Sequence, residues 1–317
     1  MTELLESVAV IAGTEEKWPC PFSHDPTPKS HANDFIGEGS TLGGRLEAGE
    51  PTSRNPDYGG NAKLDAELDP RRRPGHPLNK DENRLPINLQ WNDLVRPWPV
   101  TCAAHHLIPA QASLARSDLL PWLIDKSSPG TIKRGESTAN VSGLVQNDVG
   151  YDVNGAQNGV WLPGPYAMRG IWTAFVSGVD SEDEPPADAG TAVSAGDGPP
   201  ETPSSQFDYA VAAMRKARAQ FHDSHVEYSK FVLEALNLVA AKMVHIKMTS
   251  SCDQCRDKLE KDGIPPPYSL IRRLDGIASR LRMRLEGTPT AWRRNLYTSG
   301  RALEYMKRPT HSPPHNG

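Results

Sequence analysis

Long apolar runs are missing from this chain of 317 residues. No stretch reaches the eighteen or so consecutive apolar residues that a membrane-spanning helix needs, so no membrane span is expected. A basic leader is missing too: the N-terminus, MTELLESVAVIAGTEEKW, has a short apolar run but an acidic start, which argues against a cleaved signal peptide. Cysteine is scarce, at four residues, which excludes a disulfide-dense scaffold. Aromatics are few, at 7%. The 29 prolines and 26 glycines exceed average usage, so part of the chain is expected as loop or linker rather than packed core.

What charge there is falls unevenly. The net charge is −4, but from Ser251 onward 13 Lys/Arg stand against 7 Asp/Glu, or +6, which leaves −10 on residues 1–250. A basic terminal region on an acidic protein suggests one surface that meets an anion. Three regions follow from pattern. Residues 1–98 carry a short apolar segment, Val8 to Ala12, then WPCPFSH and Gly/Pro/Asn-rich sequence with Arg71, Arg72 and Arg73, and are expected to be a mostly irregular N-terminal segment. Residues 99–250 form a core region with a flexible acidic Pro/Gly/Ala-rich insertion at about 180–205, and residues 251–317 a helical basic region.

Within the core region, Pro99 to Cys102 suits a short strand. The aliphatic spacing of AQASLARSDLLPWLIDK predicts a helix that stops or restarts near Pro121, and a Ser/Gly/Asn-rich loop follows over 126–150. Two Asn/Gly turn signals between Gly150 and Pro163 suit a tight turn feeding a strand at 159–162. From Gln206, apolar residues recur at helical spacing over about forty positions, as two helices with a break near His222 to Ser224. Two or three more helices are expected from Tyr268 to Met306, ahead of a frayed Pro/His-rich end.

The chemistry concentrates on the stretch Thr101 to Pro109, TCAAHHLIP. Successive side chains on a strand point to opposite faces. His105 and His106 therefore divide the work: one can ligate a metal while the other faces substrate as a general base, a task that suits a group titrating near neutrality. On a helix, residues three apart share a face, so His222 and His225 can offer two more imidazoles from one turn. One strand histidine and these two make a three-nitrogen site with open positions for water and a phosphate oxygen. The residues alone leave open which of His105 and His106 is the base. They also leave open whether both His222 and His225 ligate, or one does with Asp223 or water completing the site.

The segments AAHHLIPAQ, NGAQNGVWLP and FHDSHVEYSKFV, across roughly residues 99–236, resemble the AHH family of nucleases within the His-Asn-His (HNH) and endonuclease VII-like ββα-metal superfamily. The resemblance implies an α+β fold, a small ββα-metal nuclease core embedded in a mostly helical protein with long irregular segments. It implies His105 as a metal ligand, His106 as the general base, and Asn158, with Asn154 as the lesser match, as the asparagine that braces the hairpin. His222 and His225 would be the helix histidines that complete the site. The distance from Leu162 to His222 departs from the family's compact unit and requires residues 164–205 to be an excursion. The implied function is a metal-dependent endonuclease, a DNase using one divalent ion (Mg, Mn, Zn or Ni), that acts as an antibacterial toxin or secretion-system effector. Such a toxin would be made in the bacterial cytoplasm without a signal peptide. A secretion machine or carrier protein would deliver it into the target cell's cytoplasm, and an immunity protein would neutralise it.

Two further features stand apart from that core. Cys252 and Cys255, as a C-x-x-C, can join Cys20 and His24 in a tetrahedral structural zinc site that pins the N-terminal segment to the C-terminal region. The plain alternative is a helix-capping or redox pair. Arg272, Arg273, Arg280, Arg282, Arg284, Arg293 and Arg294, with Trp292 and Tyr297 for stacking, can bind a phosphate backbone. The alternative there is a solvated helix face. Two competing functions remain: an RNase toxin on the same scaffold, and a non-catalytic zinc-stabilised adaptor protein.

Overall fold

A computed structural model describes residues 22, 35–48, 86–91, 94–146, 149–165, 206–223, 225–249, 252, 263–267, 270–287, 289, 292 and 296–307. The expected insertion at about 180–205, Cys20, His24, Cys255, Arg293, Arg294 and the Pro/His-rich end lie outside the described residues. Within them the chain is mixed α+β. The elements in order are α1 (Gly39–Ala48), β1 (Pro86–Trp91), β2 (Leu94–Pro99), β3 (Thr101–His106), β4 (Gly130–Arg134), β5 (Ser137–Val141), β6 (Gly159–Gly164), α2 (Gln206–Ala217), α3 (Val226–Thr249), α4 (Leu270–Leu285) and α5 (Gly300–Lys307). The strands make three two-stranded antiparallel sheets, β1 with β2, β3 with β6, and β4 with β5. No described helix is long and apolar enough to cross a membrane.

The pair that positions everything else is β3 and β6, joined in a register that sets Ala104 opposite Trp161, His105 opposite Val160 and His106 opposite Gly159. Its two faces meet different partners. On one, Trp161 packs with Leu42 and Leu46 of α1, together with Ala104 and Ala156. On the other, Val160 and Leu162 enter the main core. At Gly159 the helix comes close: a Cβ there would lie 2.7 Å from a methyl of Leu42 and 3.0 Å from one of Leu46, so those side chains would have to shift. The main core draws its mass from the helices. On α3, Tyr228, Phe231, Val232, Ala235, Leu236, Val239, Ala240, Met243 and Ile246 recur at three- and four-residue spacing and are buried. On α4, Leu270, Leu274, Ile277, Ala278, Leu281 and Leu285 do the same.

The region before residue 99, expected as mostly irregular, supplies α1, β1 and all but the last residue of β2. Two expectations change. The helix expected over AQASLARSDLLPWLIDK is two short 3-10 turns, Leu114–Arg116 and Leu120–Trp122, closed by bonds such as Arg116 N–H to Ser113 O and Leu123 N–H to Leu120 O. Its aliphatic residues are buried on more than one side: Leu114, Leu119, Leu120, Trp122, Leu123 and Ile124 all sit in the core. The spacing that resembles one helical face is therefore a short plug filling the interior. The loop expected at 126–150 contains the β4–β5 hairpin, turned through Gly135 at φ 59°, a sign of φ that two-residue hairpin turns demand. The helices from Gln206 and their break near His222, and the turn feeding a strand at residue 159, are found as expected.

Candidate metal centre

Strand alternation separates the two adjacent histidines. His105 is buried and turns toward the helices, where its ring centroid lies 4.7 Å from that of His222 and 5.1 Å from that of His225. His222 and His225 are 5.2 Å apart by the same measure. Each of the three offers a ligand nitrogen, and these nitrogens all lie within 4.8 Å of one another. His106, half-buried, turns the other way and places its Nε2 3.0 Å from Oδ1 of Asn154.

His222 and His225 do not share a helical turn, as the sequence pattern had suggested. His222 lies in the extended stretch between α2 and α3, and His225 stands just before the first residue of α3, where its carbonyl accepts the Ser229 N–H. Each is held by its own anchors. His222 N–H bonds to Pro163 O at the end of β6, 2.8 Å away. Gln220 beside it donates through Nε2 to Leu296 O and accepts through Oε1 from Thr298 N–H, while Thr298 Oγ1 donates to Phe221 O. Asp223, a candidate substitute ligand, is instead ion-paired with Arg301 of α5. His225 Nδ1 meets Ser229 Oγ at 3.1 Å, the kind of outer contact that orients a ligating imidazole and directs its Nε2 to a metal. Tyr228 O–H donates to Leu107 O at 2.6 Å and ties α3 to the turn after His106.

The electrostatics hold two of the three rings in the neutral form, the form that ligates. Burial, and then the neighbouring His222, His225 and His106, hold the His105 imidazole well below its ordinary pKa. Burial, then His225 and His106, lower His222 to about 3. Both rings are neutral at pH 7 and carry lone pairs. Among the described residues, Nε2 of His105 is buried with no hydrogen-bond partner, a loss of about 1–3 kcal/mol for an ordinary polar group. A divalent ion would satisfy that orphaned nitrogen, and three imidazoles are a donor set that suits zinc, nickel and other transition ions. The residues present thus fit a metal.

Asn158 braces the loop that carries these side chains. It is buried, its Oδ1 accepts the Ile108 N–H at 2.7 Å, and its Nδ2 donates to Ile108 O and Val153 O. Its own carbonyl accepts the Leu107 N–H. Beneath it, Arg282 of α4 donates to the carbonyls of Ala156, Gln157 and Gly159. The guanidinium therefore closes the end of the 3-10 turn that holds Asn158. Arg282→Met is expected to lower unfolding stability by roughly 2–4 kcal/mol by leaving buried carbonyls without donors. Arg272→Met, on the exposed face of the same helix, is expected to change it by less than about 0.5 kcal/mol. Urea unfolding of the two variants measures both.

The basic block is corrected in part. Arg273 and Arg282 are buried and Trp292 is in the core, so these three do not offer themselves to a phosphate backbone. Arg272 is exposed and Arg280 and Arg284 are half-buried. Of the proposed structural zinc ligands only Cys252 is described; it is half-buried against the core. Sequence reasoning missed the segment 36–38, whose backbone holds Asn154, and the 296–301 segment that pins His222. No hydrophobic period or motif marks either. The chain matches no protein-family model, no curated protein and no solved structure to which it was compared.

Proposed function

We propose that the protein is a metal-dependent nuclease with a ββα-metal core formed by β3, β6 and α3, of the AHH kind its motifs resemble, acting on DNA as an antibacterial toxin. One observation carries the reading: three imidazole nitrogens gather within 4.8 Å while the adjacent His106 is turned to the opposite strand face. His105, His222 and His225 would hold one divalent ion, which when bound supplies neutralisation of charge at the scissile phosphate and the leaving oxygen. His106 takes a proton from the attacking water as the new P–O bond forms and the ester P–O bond breaks. It sits close enough for its charge to bear on both His105 and His222. Asn158 and Arg282 keep the loop rigid, so that the base and the ligands stay in register. Among the described residues of the basic block, Arg272 is exposed and Arg280 and Arg284 are half-buried, and these would meet phosphate.

Expression in a bacterial host tests the toxin reading. The wild-type chain is expected to kill with loss of chromosomal DNA, and His105→Ala and His106→Ala to be harmless. Killing with RNA loss and intact DNA assigns the RNase alternative. Killing that survives both substitutions, or no killing at all, favours the non-catalytic adaptor.

A further inference from the structure

The geometry points to Asn154 as the positioning residue of His106: it fixes the ring as the Nε2–H tautomer, so that Nδ1 is the nitrogen that acts on water. The inference rests on the nuclease reading above and deepens it. A neutral imidazole has one donor and one acceptor nitrogen, and which is which follows from the partner. Here the partner is the Asn154 side-chain amide, whose own orientation two main-chain groups decide. Oδ1 accepts from Glu38 N–H at 2.8 Å, and an amide N–H can only donate. Nδ2 donates to Ile36 O at 2.9 Å, and a carbonyl can only accept. The amide cannot be turned over without breaking both bonds. Oδ1 is the atom that faces His106 Nε2, at 3.0 Å. The contact is therefore Nε2–H donating to Oδ1, and in the neutral ring the lone pair sits on Nδ1.

The support continues outward from Asn154. Its own N–H donates to Asp152 Oδ1 at 3.0 Å, and Asp152 is ion-paired with Arg45 of α1. Glu38 lies immediately before α1, and its side chain accepts from Thr41 Oγ1 in the first turn. The α1 helix in turn packs on the strand pair through Leu42, Leu46 and Trp161. The segment 35–48, read from sequence as irregular chain, thus sets the tautomer of a residue nearly seventy positions downstream.

The test uses the full chain, with the histidine nitrogens read by two-bond nitrogen–proton NMR and the His106 signal assigned by its loss in His106→Gln. Wild type is expected to show the Nε2–H pattern for His106. In Asn154→Ala that pattern gives way to a mixture of tautomers. With manganese present, kcat on plasmid DNA falls roughly 10- to 100-fold, a fraction of what a general base contributes, while KM and manganese affinity stay within about threefold. Asn154→Asp keeps the acceptor that faces His106 but loses the donor to Ile36 O, so it is expected to restore the Nε2–H tautomer and only part of the rate. A His106 ring with the proton on Nδ1 in wild type overturns the inference, as does an Asn154→Ala protein with unchanged kcat. So does parallel loss of manganese affinity, because that marks a merely structural role. The wild-type spectrum decides the tautomer even if Asn154→Ala fails to fold. It also needs no activity, so a chain that cleaves nothing overturns the nuclease reading while the tautomer is still read.

Discussion

His106→Ala is expected to reduce nucleic-acid cleavage about 10²- to 10⁴-fold, the usual contribution of a positioned general base, while leaving metal binding intact. The separation follows from the strand. His105 and His106 are neighbours in β3 but face opposite sides, one into the imidazole cluster and the other onto Asn154. Removing the His106 ring leaves the three clustered nitrogens, and the buried contacts that hold them, unchanged. Parallel measurement of cleavage rate and of metal affinity by calorimetry checks the split. Loss of both together would mean that the two histidines do not divide the work as described.

Metal is expected to stabilise the folded chain, and His105 and His222 to be indispensable for that effect. An ion bound only by the folded state adds about 2.7 kcal/mol at a hundredfold excess over its Kd, a rise of roughly 4 °C in melting temperature for 317 residues at about 2.1 cal/mol/K of unfolding entropy each. Wild-type protein stripped with chelator and titrated with zinc or nickel should show that rise. His105→Ala and His222→Ala should each abolish most of it, since both rings are buried where water does not readily take their place. His225→Ala should weaken it, because the half-buried ring is the one that water can most readily replace. The buried Nε2 of His105, without a partner among the described residues, is the reason to expect the largest effect there.

The split between His105 and His106 was legible because a strand has a period of two and leaves no choice of face. The turn ahead of β6 was legible from its Asn-Gly steps, whereas the bracing place of Asn158 was implied only by the resemblance to the AHH family. The placement of His222 and His225 was half legible. Their proximity to His105 is as expected, yet they reach it from an extended stretch and a helix start rather than from one helical turn. The basic block misled because composition does not say which face of a helix a charge lies on. Ala278, Leu281, Arg282 and Leu285 share one stripe by their three- and four-residue spacing, so the periodicity of α4 alone places Arg282 inward. The role of 36–38 could not be read, because it consists of two main-chain bonds across more than a hundred positions, and main-chain groups leave no trace in side-chain pattern.

The central claim is that an ion on His105, His222 and His225 is used to break phosphodiester bonds. The most direct measurement is cleavage of plasmid DNA and of RNA by chelator-stripped full-length protein, as magnesium, manganese, zinc or nickel is returned one at a time. Cleavage that is absent without metal, returns with at least one of these ions and disappears in His105→Ala is the predicted result. Intact DNA and RNA with all four ions, or cleavage that persists in the stripped protein or in His105→Ala, would contradict it.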